Sequence, residues 1–435
     1  LLKHFFISTV LVWLYVKNAL TLECYWKTGY KYKYFSSKTP YEIIRGDIRD
    51  SIVRTKGCEA VSIWAIMRHG KRNPGQIFAQ YMQQILKYKD FIVSSYEIGN
   101  SSLCAQDIEN IKKWTVDVAM LSKPDQIAEE GYQELLRIGH RMNASFPELL
   151  KELQEQDYLF LSGFGQRFEE SARAFVKGLN HNLIIETFTT ESQILAPYST
   201  CEKYKAEVRR NPDLYHEEEV YKKTADYLNI KERIYRKLGL NFTFSNQDIT
   251  AIYDLCRYTW NGISNKPSPL CAVFSTEDLQ VLEYIDDLRQ YHRNGYGVSQ
   301  YSQRLGQLPL ADLLRKFEQA KNGTGKKIVS YFTHGTTLDM ILVALNLCKD
   351  SNPLMGAHRD INRKWRTSFL STFASNMIAV LNRYDEYNYN VAFYWNEKPL
   401  LELCNRGVCS WQEFEDIFKP FLNATMDFCE FKLVN

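Results

Sequence analysis

The sequence predicts an α/β fold: a mostly parallel sheet flanked by helices, carrying a mainly helical cap insertion. Three observations support this. Short apolar runs are each followed by a segment of helical spacing, the alternation expected of a sheet covered on both faces. The stretch 200–319 is instead rich in charged, helix-favouring residues, as in E-E-E-V-Y-K-K-T-A-D-Y-L. With 435 residues the chain is long enough for one large domain with an insertion.

The elements follow in order. Residues 1–20 are expected to be a signal peptide, with Lys3 and His4 as a positive flank, an apolar core over Phe5–Val16 and a cleavage edge at Ala19. The α/β core is assigned to 21–199 and 320–435, on either side of the cap insertion. Val61–Met67 is an apolar run closed by a polar turn, and Gln76–Tyr88 has helical character. Asp157–Ser162 is a second strand, with a helix over Arg167–Leu179. Ile328–Phe332 is a third, leading into the apolar helix Thr337–Leu347. Asn376–Tyr394 holds two strand-like runs around D-E-Y-N-Y-N, the pattern of an antiparallel hairpin at a sheet edge.

Charge is nearly balanced, 54 basic against 51 acidic side chains, so nothing global argues for nucleic acid. Ten cysteines follow the apolar N-terminal segment, an even count that allows up to five disulfides; Cys256 with Cys271 and Cys404 with Cys409 are the expected close pairs. Sequons begin at Asn100, Asn143, Asn241, Asn322 and Asn423, in keeping with a secretory lumen. The C-terminal E-F-K-L-V-N has neither a retrieval tetrapeptide nor an apolar tail, so secretion or a lysosome-like compartment is expected, with no stable membrane span once the signal is removed.

Ligand sites in α/β sheets collect at the carboxyl ends of strands. The first strand delivers Arg68, His69, Lys71 and Arg72 to such a place, the second Gln166 and Arg167, the third His334. Three arginines and two histidines there would form a pocket for phosphate, since guanidinium forks match phosphate oxygens. Neighbouring cations disfavour imidazolium, which leaves His69 a free ring nitrogen for attack on phosphorus. Arginine supplies the charge compensation, so neither a metal nor a cofactor is expected.

M-R-H-G-K-R-N-P at 67–74 resembles the signature of the histidine acid phosphatases (histidine phosphatase superfamily, branch 2). The wider chain, roughly 35–410, is more similar to their multiple inositol polyphosphate phosphatase group. The similarity runs through F-S-S-K-T-P-Y, Q-R-F-E-E-S-A-R-A-F, Y-D-L-C-R-Y-T-W and D-L-R-Q-Y-H-R-N-G-Y-G. The resemblance implies a histidine phosphatase-like fold and hydrolysis of inositol polyphosphates. It makes His69 the nucleophile, Arg68, Arg72 and Arg167 the ligands of the transferred phosphate, and His334 the residue completing the pocket. Lys71 is a candidate for a further phosphate. The run Lys203, Lys205, Arg209 and Arg210 reads as a solvated helix face.

One departure stands out. The family carries an acid beside the second histidine, whereas this chain reads His334-Gly335-Thr336-Thr337, with Thr336 in the place of the expected glutamate. A placed general acid is commonly worth ~10²–10⁴ in rate. Three outcomes are open: Asp339 substitutes as proton donor, the substrate's leaving group needs little protonation, or the site binds phosphate without turnover. A broad acid phosphatase acting on small phosphomonoesters is the nearest rival reading.

Overall fold

The apolar run at 61–67 becomes the strand on which the sheet is built. In the computed structural model, which describes residues 24–27, 31–50, 57–187, 192–242, 244–260 and 268–431, the strands are β1 (Glu59–Arg68), β2 (Tyr158–Ser162), β3 (Glu186–Thr187), β4 (Ile328–Thr333), β5 (Asn376–Arg383), β6 (Tyr389–Trp395), β7 (Lys398–Pro399) and β8 (Val408–Ser410). Their order is β3-β2-β4-β1-β5-β6-β7, with β8 paired to β6. The sheet is mixed rather than mostly parallel. β3, β2, β4 and β1 run parallel, while β5 to β8 join antiparallel. The reason lies in the C-terminal chain: the expected hairpin β5–β6 pairs with β1 and is extended by two short strands. The signal segment expected at 1–20 lies outside the described residues.

Helices used below are α1 (Gln76–Leu86), α2 (Glu129–Ser145), α3 (Gln166–Gly178), α4 (Asn246–Thr259), α5 (Thr276–Asn294), α6 (Ser299–Lys321), α7 (Gly335–Ala344) and α8 (Trp411–Phe418). Successive residues of β1 point to opposite faces. Ile63, Ala65 and Met67 pack under α2 and α3 with Leu135, Ile138, Ala172 and Phe175. Trp64 and Ile66 pack on the other face with Leu310, Leu314, Leu338 and Ile341 of α6 and α7. Burying each large side chain stabilises the fold by roughly 1.5–3 kcal/mol. Asp312 of α6 accepts hydrogen bonds from Trp64 Nε1 at 3.0 Å and Tyr331 Oη at 2.6 Å, which satisfies both buried donors.

Among the described residues, 200–319 contains helices and no strand. α4 and α5 start at Ser245 and Ser275, each closing a capping box with the aspartate three residues on. α6 already belongs to the layer covering the sheet, so that layer begins before residue 320. The expected pairs Cys256–Cys271 and Cys404–Cys409 form, together with Cys24–Cys104 and Cys201–Cys429. Cys58 and Cys348 are free thiols, so four bridges form rather than five. Asn100, Asn241, Asn322 and Asn423 are exposed, whereas Asn143 is half-buried within α2. No helix among the described residues is long and apolar enough to cross a membrane.

Candidate active site

β4 is hydrogen-bonded to β1 on one side and β2 on the other, so three strand ends stand side by side. The parallel register runs from Ile63 opposite Ile328 to Arg68 opposite Thr333, and from Tyr158 opposite Ile328 to Ser162 opposite Phe332. His69, Arg167 and His334 each follow one of these ends. Gly165, at φ +118°, turns the chain from β2 into α3 in a conformation that an L side chain rarely adopts. Gly70 is required for a different reason: a Cβ there would lie 2.1 Å from the carbonyl oxygen of Gly131. The Gly70 amide donates to Ser171 Oγ at 3.0 Å, tying the β1 turn to α3.

His69 is buried, 2% exposed. Its Nδ1 lies 2.8 Å from the Gly70 carbonyl oxygen. A carbonyl can only accept, so Nδ1 carries the proton and Nε2 keeps its lone pair. The ring meets Phe168 edge-on at 5.2 Å, and its centroid is 6.0 Å from that of His334. Arg68 is held by the carbonyls of Ser37 and Ser371 at 2.8 and 2.7 Å and stacks on Phe373 at 4.3 Å. Its Nε is buried without a hydrogen-bond partner among the described residues. Arg72 pairs with Asp125 at 3.0 Å, and Arg167 lies over Phe168 at 4.5 Å. All three guanidinium groups and both histidines line one cleft of about 450 Å³.

Burial, then the charges of Arg68, Arg72 and Arg167, hold the His69 pKa well below the usual histidine value. Burial and the same arginines push His334 down to about 3. Burial and Arg72 lower Arg68 to about 9, which leaves it charged at neutral pH. In the free protein neither imidazole should titrate near the ordinary value of ~6.5, which a nitrogen-detected histidine NMR titration would check. Bound phosphate should raise both values, because an anion favours imidazolium; ordinary titration in the free protein would contradict the burial described.

Not every expected residue reaches the cleft. Lys71 points elsewhere, its amine donating to the Trp260 carbonyl at 2.5 Å and facing Glu130 at 3.5 Å. Of the run read as a solvated face, Lys203, Lys205 and Arg210 pair with Glu207 or Glu202, while Arg209 lines the cleft. Lys38, Arg257, Arg289 and Arg293 also line it and were not singled out in the sequence. Arg289 and Arg293 are spaced i, i+4 and so share a face of α5, a signal that could have found them. Arg257 is paired with Asp254 and Asp286, and Arg289 with Glu218, so part of this charge is compensated. The Nε of Arg293 is buried without a hydrogen-bond partner among the described residues. Thr336 and Asp339 both line the cleft beside His334.

Known proteins resemble this chain in sequence and in fold. Residues 61–395 match the model of the histidine phosphatase superfamily (branch 2). Multiple inositol polyphosphate phosphatase 1 of Drosophila melanogaster is 28% identical over 415 residues, covering 90% of this chain and 85% of that protein. Among solved structures, the phytase from D. castellii has a TM-score of 0.73 at 16% identity, covering 91% of this chain and 86% of the other. The Bifidobacterium longum multiple inositol polyphosphate phosphatase, in complex with inositol hexasulfate, has a TM-score of 0.65 at 14% identity, covering 85% and 92%. At such identities the likeness of structure speaks for the fold. The family match spans most of the chain and contains both histidine turns, and the chain therefore belongs to branch 2 of the histidine phosphatase superfamily.

Proposed function

We propose that this chain hydrolyses phosphomonoesters of inositol polyphosphates through a phosphohistidine at His69. The observation that carries the reading is the lone pair of His69 Nε2, fixed by the Nδ1 contact to Gly70, in a cleft shared with Arg68, Arg72 and Arg167. Nε2 attacks phosphorus while the guanidinium groups neutralise the equatorial oxygens, which is how electrostatic preorganisation lowers such barriers. Water then attacks the phosphohistidine and releases inorganic phosphate. Arg209, Arg289 and Arg293 lie on the cap side of the same cleft. They favour a substrate with several phosphates over a small phosphomonoester, whose one phosphate needs only the first three arginines. The names of the similar proteins, inositol polyphosphate phosphatase and phytase, point the same way.

The disulfides and the exposed sequons favour a secretory lumen or the extracellular space as the place of action. Thr336 favours a second reading, binding of inositol phosphates without turnover. Phosphate release from inositol hexakisphosphate and from glycerol 2-phosphate separates the readings, combined with alkaline quenching and mass analysis of the peptide bearing His69. A phosphoryl adduct on that peptide, and a higher kcat/KM for the hexakisphosphate, are expected. Tight binding with no release and no adduct would overturn hydrolysis.

A further inference from the structure

Thr336 and Asp339 stand three residues apart on α7 and so lie one above the other on the same helix face. Side chains on a helix lean towards its N-terminus, which here is the end that carries His334 into the cleft. Both residues line that cleft, and the threonine side chain is short. The carboxyl of Asp339 is buried, 2% exposed. Its Oδ2 accepts the amide of Asn294 at 2.5 Å. Its Oδ1 is buried and makes no hydrogen bond of ordinary geometry among the described residues, although Ser371 interacts with the carboxyl. The other carboxyl lining the cleft, Asp254, is engaged by Arg257 at 2.5 and 2.7 Å.

From this arrangement we propose that Asp339 is the acid that protonates the leaving oxygen, acting from one helical turn behind the place where Thr336 stands. The proposal rests on the reading of the cleft as a phosphomonoesterase site. With Oδ2 committed to Asn294, Oδ1 is the oxygen that bears the proton. As the bond from His69 Nε2 to phosphorus forms, the bond from phosphorus to the ester oxygen breaks and takes both its electrons to that oxygen. The proton passes from Oδ1 to it, and Asp339 is left as carboxylate. In the second half, water attacks phosphorus, the P–N bond breaks and restores the Nε2 lone pair, and the proton lost by water returns to Asp339. Both halves balance without a further reactant.

Protonation in the resting state agrees with the surroundings. Burial raises this carboxyl to about 7, with Asp287 adding to the rise; hydrogen bonding from Ser371 and Asn294 and the charge of Arg68 act against it. A general acid works best with a pKa near the operating pH.

The test compares esters that differ in their need for a proton. In Asp339→Asn, turnover of glycerol 2-phosphate, whose alkoxide is a poor leaving group, should fall by ~10²–10⁴, and turnover of p-nitrophenyl phosphate by less than ~10-fold. Adding Thr336→Glu to that variant should restore turnover of the alkyl ester. The wild type is informative without any variant: across a series of aryl and alkyl phosphates, its rate should depend only weakly on leaving-group basicity. A steep dependence in the wild type, or equal losses on both esters in Asp339→Asn, would overturn the assignment alone. Absence of turnover on every ester would overturn the phosphatase reading and this assignment with it.

Discussion

Replacing His69 by Ala should lower phosphate release by at least ~10⁴-fold, the scale seen when a covalent nucleophile is removed from a site whose other parts remain. The residue's role rests on three features of its setting. Its Nδ1 is tied to the Gly70 carbonyl, its pKa is held low by burial and by three arginines, and it shares a cleft with Arg68, whose Nε has no hydrogen-bond partner among the described residues. Alanine removes the lone pair and leaves the guanidinium groups in place. Affinity for inorganic phosphate, read as a competitive inhibition constant in the wild type and as direct calorimetric binding in the variant, should therefore change by less than about tenfold. A residual rate above about a hundredth of wild type would mean that water attacks phosphorus directly and that the histidine only positions it.

The largest effect on stability is expected at Glu397, far from the chemistry in sequence but packed beneath the same end of the sheet. This carboxylate is fully buried. It receives Nε and Nη2 of Arg141, each at 2.6 Å, and the hydroxyl of Tyr41 at 2.9 Å; Asn376 donates in turn to that hydroxyl at 2.7 Å. The group links α2, the N-terminal segment, β5 and the turn after β6, where Asn396 and Glu397 both have left-handed backbone, φ 52° and 60°. Glu397→Ala leaves the Arg141 charge buried without a partner, which typically costs ~3–5 kcal/mol. Denaturant unfolding of the purified protein measures this directly. Replacing Arg141 and Glu397 together by methionine should cost less than either single change, because no uncompensated charge remains. A double variant as unstable as the sum of the singles would show that packing, not charge pairing, dominates there.

The sequence made the strand ends legible because their signal is local. An apolar run that stops at Arg68-His69-Gly70 marks both the strand and its functional end, and the same holds for Phe332-Thr333-His334. The cap side of the cleft was much less legible. Arg257, Arg289 and Arg293 sit in a stretch whose charged composition indicates helices but not which face turns inward, and only the tertiary placement of α4 and α5 brings them to the cleft. Lys71 shows the reverse case: it lies within the most specific motif, yet the turn directs it to Glu130 and the Trp260 carbonyl. Cys256–Cys271 and Cys404–Cys409 were legible from short separation, whereas Cys24–Cys104 and Cys201–Cys429 join distant stretches that no spacing connects. The antiparallel hairpin β5–β6 was legible, whereas its antiparallel pairing with β1 was not, because strand order is decided by long-range pairing.

β1 and β4 are neighbours in the ladder although more than half of the chain separates them. The distance between the two imidazoles is thus set by backbone pairing and not by whatever the intervening chain does. Selection can reshape the helices between those strands, and with them the kind of molecule admitted, while the histidine pair keeps its geometry. Diversification of substrate preference within such a scaffold is thereby uncoupled from loss of the reaction itself.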